Sequence, residues 1–306
     1  MAAVIIPTHN RGDLLKKVLD SVLAQTIAAE VYVMDDASTE ETGAMVTREY
    51  PQVIYKRENE SKGPAFQRDK GAALTQAETL FTIDDDCILA SPKILEQALE
   101  AFDHPRVGAV TLPFVNVLTD KVIHTNSEKN GKIIATFDFN AGMVAFRREA
   151  YIAAGGFRAF LFMHVEESDL AIRLMDCGYI VRLGWSDPIE HMESPVRNMT
   201  RLHGLGPRNQ VLYSYYNVPW PYLAGQLPAT TFLYLRHGIR AGTLPLVLRG
   251  LLRGYVGIMH EFFERKPVSR STYRLSRVLK FRSMPLEEIE PMMRPINRRH
   301  AREAGH

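Results

Sequence analysis

The stretch Leu80-Phe81-Thr82-Ile83-Asp84-Asp85-Asp86 sets a short strand-like run directly before three consecutive carboxylates. A four-residue run with aromatic and β-branched members, ended by turn-forming acids, predicts a buried strand. The same arrangement recurs upstream, where Ala3-Val4-Ile5-Ile6 stops at Pro7 and Val31-Tyr32-Val33-Met34 stops at Asp35-Asp36. Val53-Ile54-Tyr55 and the run from Val107 to Leu112 read as further strands. Between the first two strands, Leu14, Leu15, Val18, Leu19, Val22 and Leu23 recur at helical spacing. Helices are also expected over Glu40–Glu49, about Ala65–Ala77, and from Pro92 to about Phe102. Strand alternating with helix is the pattern of a doubly wound α/β sheet. Such sheets bind ligands beyond the carboxyl ends of their strands, where the acids at 35–36 and 84–86 fall.

Further along, residues 113–146 read as hairpin-like, with Val122-Ile123 and Ile133-Ile134 as short strands. A helix from Ser168 to Asp176 is expected to close at Gly178, followed by the strand Tyr179-Ile180-Val181. Beyond 196 the chain changes to long apolar and aromatic helical stretches and then an Arg-rich tail. The chain has 306 residues, 46% hydrophobic and 24% charged, a globular composition that excludes collagen-like repeats and wholesale disorder. Cys87 and Cys177 are too few to staple a fold of this size and fit a reducing compartment. No basic segment precedes a long apolar one at Met1, so no signal peptide is expected. The net charge of +2 hides an asymmetry: residues 196–306 hold 18 basic and 6 acidic side chains, and residues 1–195 hold 19 and 29. An acidic front suits a metal, and a basic back suits phosphates, nucleic acid or a membrane surface. This sets the expected domain boundary near 195.

Several clusters could carry chemistry. Three adjacent carboxylates repel one another, and a divalent cation relieves that repulsion; hard oxygen ligands suit Mg²⁺ or Mn²⁺. The competing reading is a solvated acidic turn, which a position directly after an α/β strand disfavours. Asp35-Asp36-Ala37-Ser38 offers a carboxylate acceptor for a base N–H or a ribose hydroxyl, or simply a loop that caps the next helix. Glu166-Glu167-Ser168-Asp169 opens a helix, whose N-terminus stabilises ionised carboxylates, and reads either as an acidic first turn or as a general base in a cleft. His191 is an isolated histidine whose role depends on what it faces. Gly63 and Arg68 could approach a phosphate, although their spacing is not that of a P-loop.

Taken in order, these motifs resemble family 2 glycosyltransferases, which have the nucleotide-sugar-binding GT-A fold. The resemblance runs through VIIPTHNR, VMDDAST, the Gly63 to Arg68 stretch, FTIDDD, Asn140-Ala141-Gly142-Met143 with Phe146-Arg147-Arg148 and Gly155-Gly156-Phe157, and Glu166-Glu167-Ser168-Asp169-Leu170 with Arg173. It covers about 1–195 and extends weakly to Arg208-Asn209. It implies a GT-A catalytic domain over 1–195 and a mostly helical, basic region over 196–306. It implies an inverting transfer of a sugar from a nucleoside-diphosphate sugar to an acceptor hydroxyl on a glycan or lipid-linked glycan. Pro7, Thr8, Arg11, Asp36, Arg68, Asp84 and Asp85 would bind the donor. Asp86, with Asp84 and His191, would hold Mg²⁺ or Mn²⁺. Glu167 would be the base, with Glu166 its rival; the family often has Asp here, so Glu is a departure. Asn140, Gly142 and Asp169 would lie on the acceptor side.

Two rival readings are a sugar-phosphate nucleotidyltransferase and a non-catalytic nucleotide-sugar-binding protein. The first would carry a Gly-rich basic loop after the first strand, and Pro7-Thr8-His9-Asn10-Arg11-Gly12 is poor for that purpose. The basic tail is not expected to bind nucleic acid, because its aromatics cluster upstream of the arginines instead of interleaving with them. From Arg208 to Arg236 no charged side chain intervenes, but Pro219, Pro221 and Pro228 argue against a spanning helix. Leu244 to Phe263 mixes aliphatic residues with Arg249 and Arg253, as an interfacial helix does. Contact with an anionic membrane surface is therefore expected, the alternatives being a helical cap or a homo-oligomer interface. The expected location is cytoplasmic, peripheral to the inner face of the membrane.

Overall fold

The computed structural model describes residues 1–39, 41–117, 121–123, 131–192, 199–260 and 265–296. Strand β1 (Ala2–Thr8) leads to helix α1 (Gly12–Leu23), β2 (Ala29–Asp35) to α2 (Thr42–Glu49), and β3 (Ile54–Arg57) to α3 (Pro64–Leu74), ahead of β4 (Thr79–Ile83). These strands lie parallel in the spatial order β3-β2-β1-β4. β1 is buried along its whole length. Ala3 and Ile5 enter one core layer, and Ala2, Val4 and Ile6 the other. A strand covered on both faces needs an unbroken apolar run, which is how its sequence reads.

Beyond β4 the pattern is more complex than a simple alternation. Next come β5 (Cys87–Ile88), α4 (Ile94–Glu100), β6 (Val107–Thr111), β7 (Phe114–Asn116), β8 (Lys121–Ile123), β9 (Ile134–Thr136) and β10 (Met143–Arg147). β10 inserts antiparallel between β4 and β6, so the sheet is mixed. Of the hairpin expected over 113–146, β7 and β8 form one, whereas β9 joins the main sheet. Helix α5 (Arg148–Ala154) precedes α6 (Glu166–Asp176), β11 (Ile180–Leu183) and β12 (Ile189–His191). α6 starts two residues earlier than expected, with Glu166 and Glu167 in its first turn. Gly178 follows it at φ 87°, a conformation that favours glycine. A small second sheet, in the order β5-β12-β7-β8, sets His191 opposite Cys87.

The C-terminal third begins with three mutually packed helices, α7 (Met199–Asn217), α8 (Tyr222–Arg240) and α9 (Leu244–His260). Pro219 and Pro221 fall in the break between α7 and α8, while Pro228 lies inside α8. Residues 261–263 of the expected apolar stretch, and the tail from 297, lie outside the described residues. α10 (Arg270–Leu279), β13 (Met284–Pro285) and α11 (Leu286–Ile289) then return to the sheet. β13 pairs with β9 and becomes the edge of a nine-stranded sheet, ordered β13-β9-β11-β6-β10-β4-β1-β2-β3. The charge change at 196 therefore does not end the sheet: Tyr273, Leu275, Leu279 and Met284 share a core with Ala3 and Ile5. No helix among the described residues is long and apolar enough to cross a membrane.

Candidate active site

The carboxyl ends of β1, β2 and β4 open into a cleft of about 390 Å³. The three acids after β4 coexist there because the backbone turns sharply beneath them. The Cys87 N–H donates to the Asp84 carbonyl at 3.1 Å, closing a four-residue turn, and the Asp84 N–H donates to the Gly142 carbonyl of the segment entering β10 at 3.0 Å. The turn fans the carboxylates toward different partners. Asp84 Oδ1 accepts from Arg68 Nη2 at 2.6 Å. Asp85 accepts from Thr8 Oγ1 at 2.8 Å and from Arg11 Nη1 at 3.0 Å. Asp86 Oδ2 accepts from the same Arg11 nitrogen at 2.7 Å, and its Oδ1 lies 3.6 Å from His191 Nε2.

These surroundings separate the acids electrostatically. Burial, reinforced by Asp86 and Asp84, pushes the Asp85 carboxyl up to about 6 against the pull of Arg11 and Thr8. Burial also opposes the ionised form of Asp86, but His191 and Arg11 hold it below the usual carboxylate range. Gly142 provides the space for Asp84: a Cβ there would lie 2.1 Å from Asp84 Oδ2. Asn140, which lines the cleft, accepts the Gly142 N–H at 2.9 Å and so fixes that approach.

Asp36 lines the cleft at the end of β2. Its carboxylate accepts from Ser61 Oγ at 2.6 Å, the Lys62 N–H at 2.7 Å, the Gly63 N–H and Gln67 Nε2 at 2.8 Å. Those donors outweigh burial and hold it below its ordinary pKa. In this arrangement Asp36 ties the 61–63 loop and the first turn of α3 to the sheet. Asp35 beneath it accepts the Ser38 N–H at 2.7 Å and is fully buried.

The opposite wall is the first turn of α6. Glu166 is 4% exposed and lies 3.7 Å from Arg68 Nη1. Burial and the neighbouring Glu167 push its carboxyl well above the usual range, only partly offset by Arg68. Glu167 is half-buried and lines the cleft. Asp169 does not line it. That side chain is 1% exposed behind α6, paired with Arg158 at 2.8 Å and Arg173 at 2.6 Å, and accepts from Asn217 Nδ2 at 2.7 Å.

The cleft also holds residues that the sequence reading did not single out: His9, Ser61, Pro64, Phe162, Met163 and His164. Phe162, His164 and Val165 all have positive φ without being glycine. Asn209 of α7 holds this strained loop, its Nδ2 donating to the carbonyls of Leu161 at 2.6 Å, Met163 at 2.9 Å and His164 at 2.9 Å. Arg208 adds a bond to the Phe160 carbonyl at 2.8 Å.

Residues 3–168 match the family described as glycosyl transferase family 2. The chain belongs to that family. It is 25% identical over 186 residues to an uncharacterized glycosyltransferase of Haemophilus influenzae, covering 57% of this chain and 62% of the relative. It is 24% identical over 195 residues to an O-antigen chain rhamnosyltransferase of Salmonella typhimurium, covering 58% and 62%. The chain thus spans about three fifths of the length of these relatives. A solved structure of a mannosyltransferase from Pyrobaculum calidifontis, in complex with GDP-Man and Mn²⁺, superposes with a TM-score of 0.54 at 21% identity, over 92% of this chain and 84% of that one. At that identity the likeness is one of fold, and it agrees with the GT-A architecture expected of the family.

The Asp86–His191 pair suits a divalent cation. The facing oxygen and nitrogen are set slightly too far apart for a hydrogen bond, yet near enough to share one ion. Cys87 Sγ joins them in a group whose ligand atoms all lie within 4.8 Å of one another. Asp84, by contrast, is engaged by Arg68 and stands apart from this group.

Proposed function

We propose that this family 2 member transfers a sugar from a nucleoside-diphosphate donor to an acceptor hydroxyl, with inversion at the anomeric carbon. The observation that carries the reading is one cleft with a cation-ready pair, Asp86 and His191, after the sheet edge and a half-buried carboxylate, Glu167, lining the far wall. Asp86 and His191 would hold the ion. A mixed carboxylate and imidazole donor set favours Mn²⁺ over Mg²⁺. Such an ion, when bound, neutralises charge on the diphosphate leaving group.

The remaining work falls to side chains. Arg11, 41% exposed at its side chain, stands at the cleft mouth with a cationic group available to phosphate oxygens. Asp36 organises the loop that would border the nucleoside. Glu167 accepts the proton from the acceptor hydroxyl and so makes it nucleophilic. Glu166 is the less suited of the two, because it is buried against Arg68 and burial favours its neutral form over the ionised form a base needs. A single base on the face opposite the leaving group suits direct displacement, unlike the carboxylate pairs of glycosidases. That the Salmonella relative is an O-antigen chain rhamnosyltransferase supports a glycan-chain acceptor.

The test is a panel of nucleotide sugars, assayed for release of free nucleoside diphosphate with and without Mn²⁺. Metal-dependent release is expected, and NMR of the product should show the inverted anomer. Pyrophosphate as the product would replace this reading with nucleotidyl transfer, and no turnover with any donor would leave a binding protein.

A further inference from the structure

We propose that the outer face of α8 and α9 is a docking surface for an anionic lipid bilayer. The inward face of α9 is fully used. Gly250 and Gly254 let its backbone close on α7: a Cβ on Gly250 would sit 2.4 Å from the Gly204 carbonyl, and one on Gly254 2.9 Å from the Arg208 carbonyl. Val247 and Leu251 are buried on the same side. The outward face is as apolar as the inward one. Leu248, Leu252, Val256 and Met259 follow one another at four- and three-residue spacing and are 48%, 64%, 40% and 72% exposed. On α8, Phe232 and Ile239 are 64% and 66% exposed, seven residues apart on one ridge. Thr231 Oγ1 and Tyr255 Oη meet at 2.7 Å, so the two helices present adjoining faces. A soluble surface seldom gathers this much exposed aliphatic and aromatic area without a partner.

Charge selects the partner. Between Glu193 and Glu261 the chain has no acidic residue and seven arginines. Arg236 and Arg240 of α8 and Arg249 and Arg253 of α9 are all exposed beside the apolar ridges. Long arginine stems can lie along apolar surface while their heads reach phosphate, the arrangement of an interfacial helix. A second copy of the chain fits less well, because an isologous pairing would set the same arginines against one another. Among the described residues neither helix is long and apolar enough to cross a membrane, so the proposed contact is peripheral. The docked face is tied to the cleft through α7, whose Asn209 holds the wall at 161–164. Ile258 of α9 packs against Leu161 and Leu212. Docking would therefore hold the cleft at a fixed height above lipid.

The experiment is flotation of the full chain with vesicles of equal parts phosphatidylcholine and phosphatidylglycerol, and with phosphatidylcholine alone, without donor or metal. Omitting both keeps the result independent of the catalytic reading. Binding to the mixed vesicles alone is expected, and it should weaken as salt screens the arginines. The double variant Arg249→Gln/Arg253→Gln should reduce partitioning roughly thirtyfold, from the attraction lost at two cationic positions. Leu252→Glu/Met259→Glu should reduce it at least as far. Both pairs are exposed, and unchanged melting temperatures would show the variants to be folded. The proposal is overturned by equal binding to the two vesicle types, by no binding at low salt, or by variants that bind like the wild type. A concentration-dependent dimer abolished by Leu252→Glu would also overturn it, assigning the face to a second copy.

Discussion

The carboxyl edge of the sheet and the α7–α9 bundle treat charge in opposite ways. At the sheet edge every cation meets an acid: Arg11 bridges Asp85 and Asp86, and Arg68 is buried between Asp84 and Glu166. In the bundle the helices carry arginines and no acid at all. The first arrangement compensates charge inside a small polar cleft, which suits the cation and diphosphate of the donor proposed above. The second sets the exposed arginines of α8 and α9 beside an apolar surface with no acid on their own helices, which suits an extended anionic partner. The two are joined at Asn209, which belongs to the bundle by sequence and to the cleft by its bonds.

The largest expected effect tests the polar side of this contrast. Asp86→Ala removes the carboxylate that faces His191, and activity should fall to background and stay there at any Mn²⁺ concentration. Wild-type activity should vanish on chelation and return with added metal. Full turnover in excess chelator would sink the assignment of the pair.

The next effect separates the two acids of α6. Glu167→Gln keeps the shape and removes the basicity, so kcat should drop roughly 10²–10⁴-fold with donor binding intact. Glu166→Gln mimics the neutral form that burial favours, and should stay within about tenfold of wild type. A reversed pattern would transfer the role of base to Glu166. Isothermal titration with the nucleoside diphosphate separates loss of chemistry from loss of binding.

A smaller effect probes the joint between the two regions. Asn209→Ala leaves three carbonyls of the 161–164 loop short of a donor, that of Leu161 buried, and should cost about 1–3 kcal/mol of stability, read as a lower melting temperature. Slower turnover should accompany it, because residues 162–164 line the cleft. Asn209→Asp should be worse than Ala, since an acceptor-only carboxylate would confront those same carbonyls. If Ala and Asp behaved alike, Asn209 would be a packing residue and the joint would lie elsewhere.

The two regions also differ in how openly the sequence displays them. Thr8, Asp36 and Asp84–Asp86 were legible because each follows a short apolar strand, and strand ends of an α/β sheet converge whatever the loops do. The insertion of β10 was not legible, because its antiparallel place is set by pairing with β4 and β6. The wall at 162–164 escaped because its positive φ values occur at Phe and His, where no glycine marks the turn. Asp169 reads in sequence like its neighbours Glu166 and Glu167. Only the arrival of Arg158 and Asn217 from distant elements shows that it faces away from the cleft. In the bundle the composition of the exposed face was visible, but its direction was not, since Gly250 and Gly254 define the inward side only once α7 lies against them.

The smallest predicted effect tests how far the C-terminal region influences the cleft through routes other than Asn209. α10 packs against α6, and its N-cap, Ser269, accepts the Thr272 N–H at 3.1 Å. Asp176, the last residue of α6, accepts from the Ser269 N–H at 2.9 Å and from Thr272 Oγ1 at 2.8 Å. Ser269→Ala removes the cap but keeps the backbone bond to Asp176, so it should cost about 1 kcal/mol of stability. The acids that face the cleft lie in the first turn of α6 and this contact lies at its last, three turns away along a buried, well-packed helix. A local loss of capping at the far end should therefore leave kcat and donor KM unchanged while urea unfolding shifts to a lower midpoint. A fall in kcat comparable to that of Asn209→Ala would show that α10 also sets the position of Glu167, and the contrast between the regions would then rest on two joints instead of one.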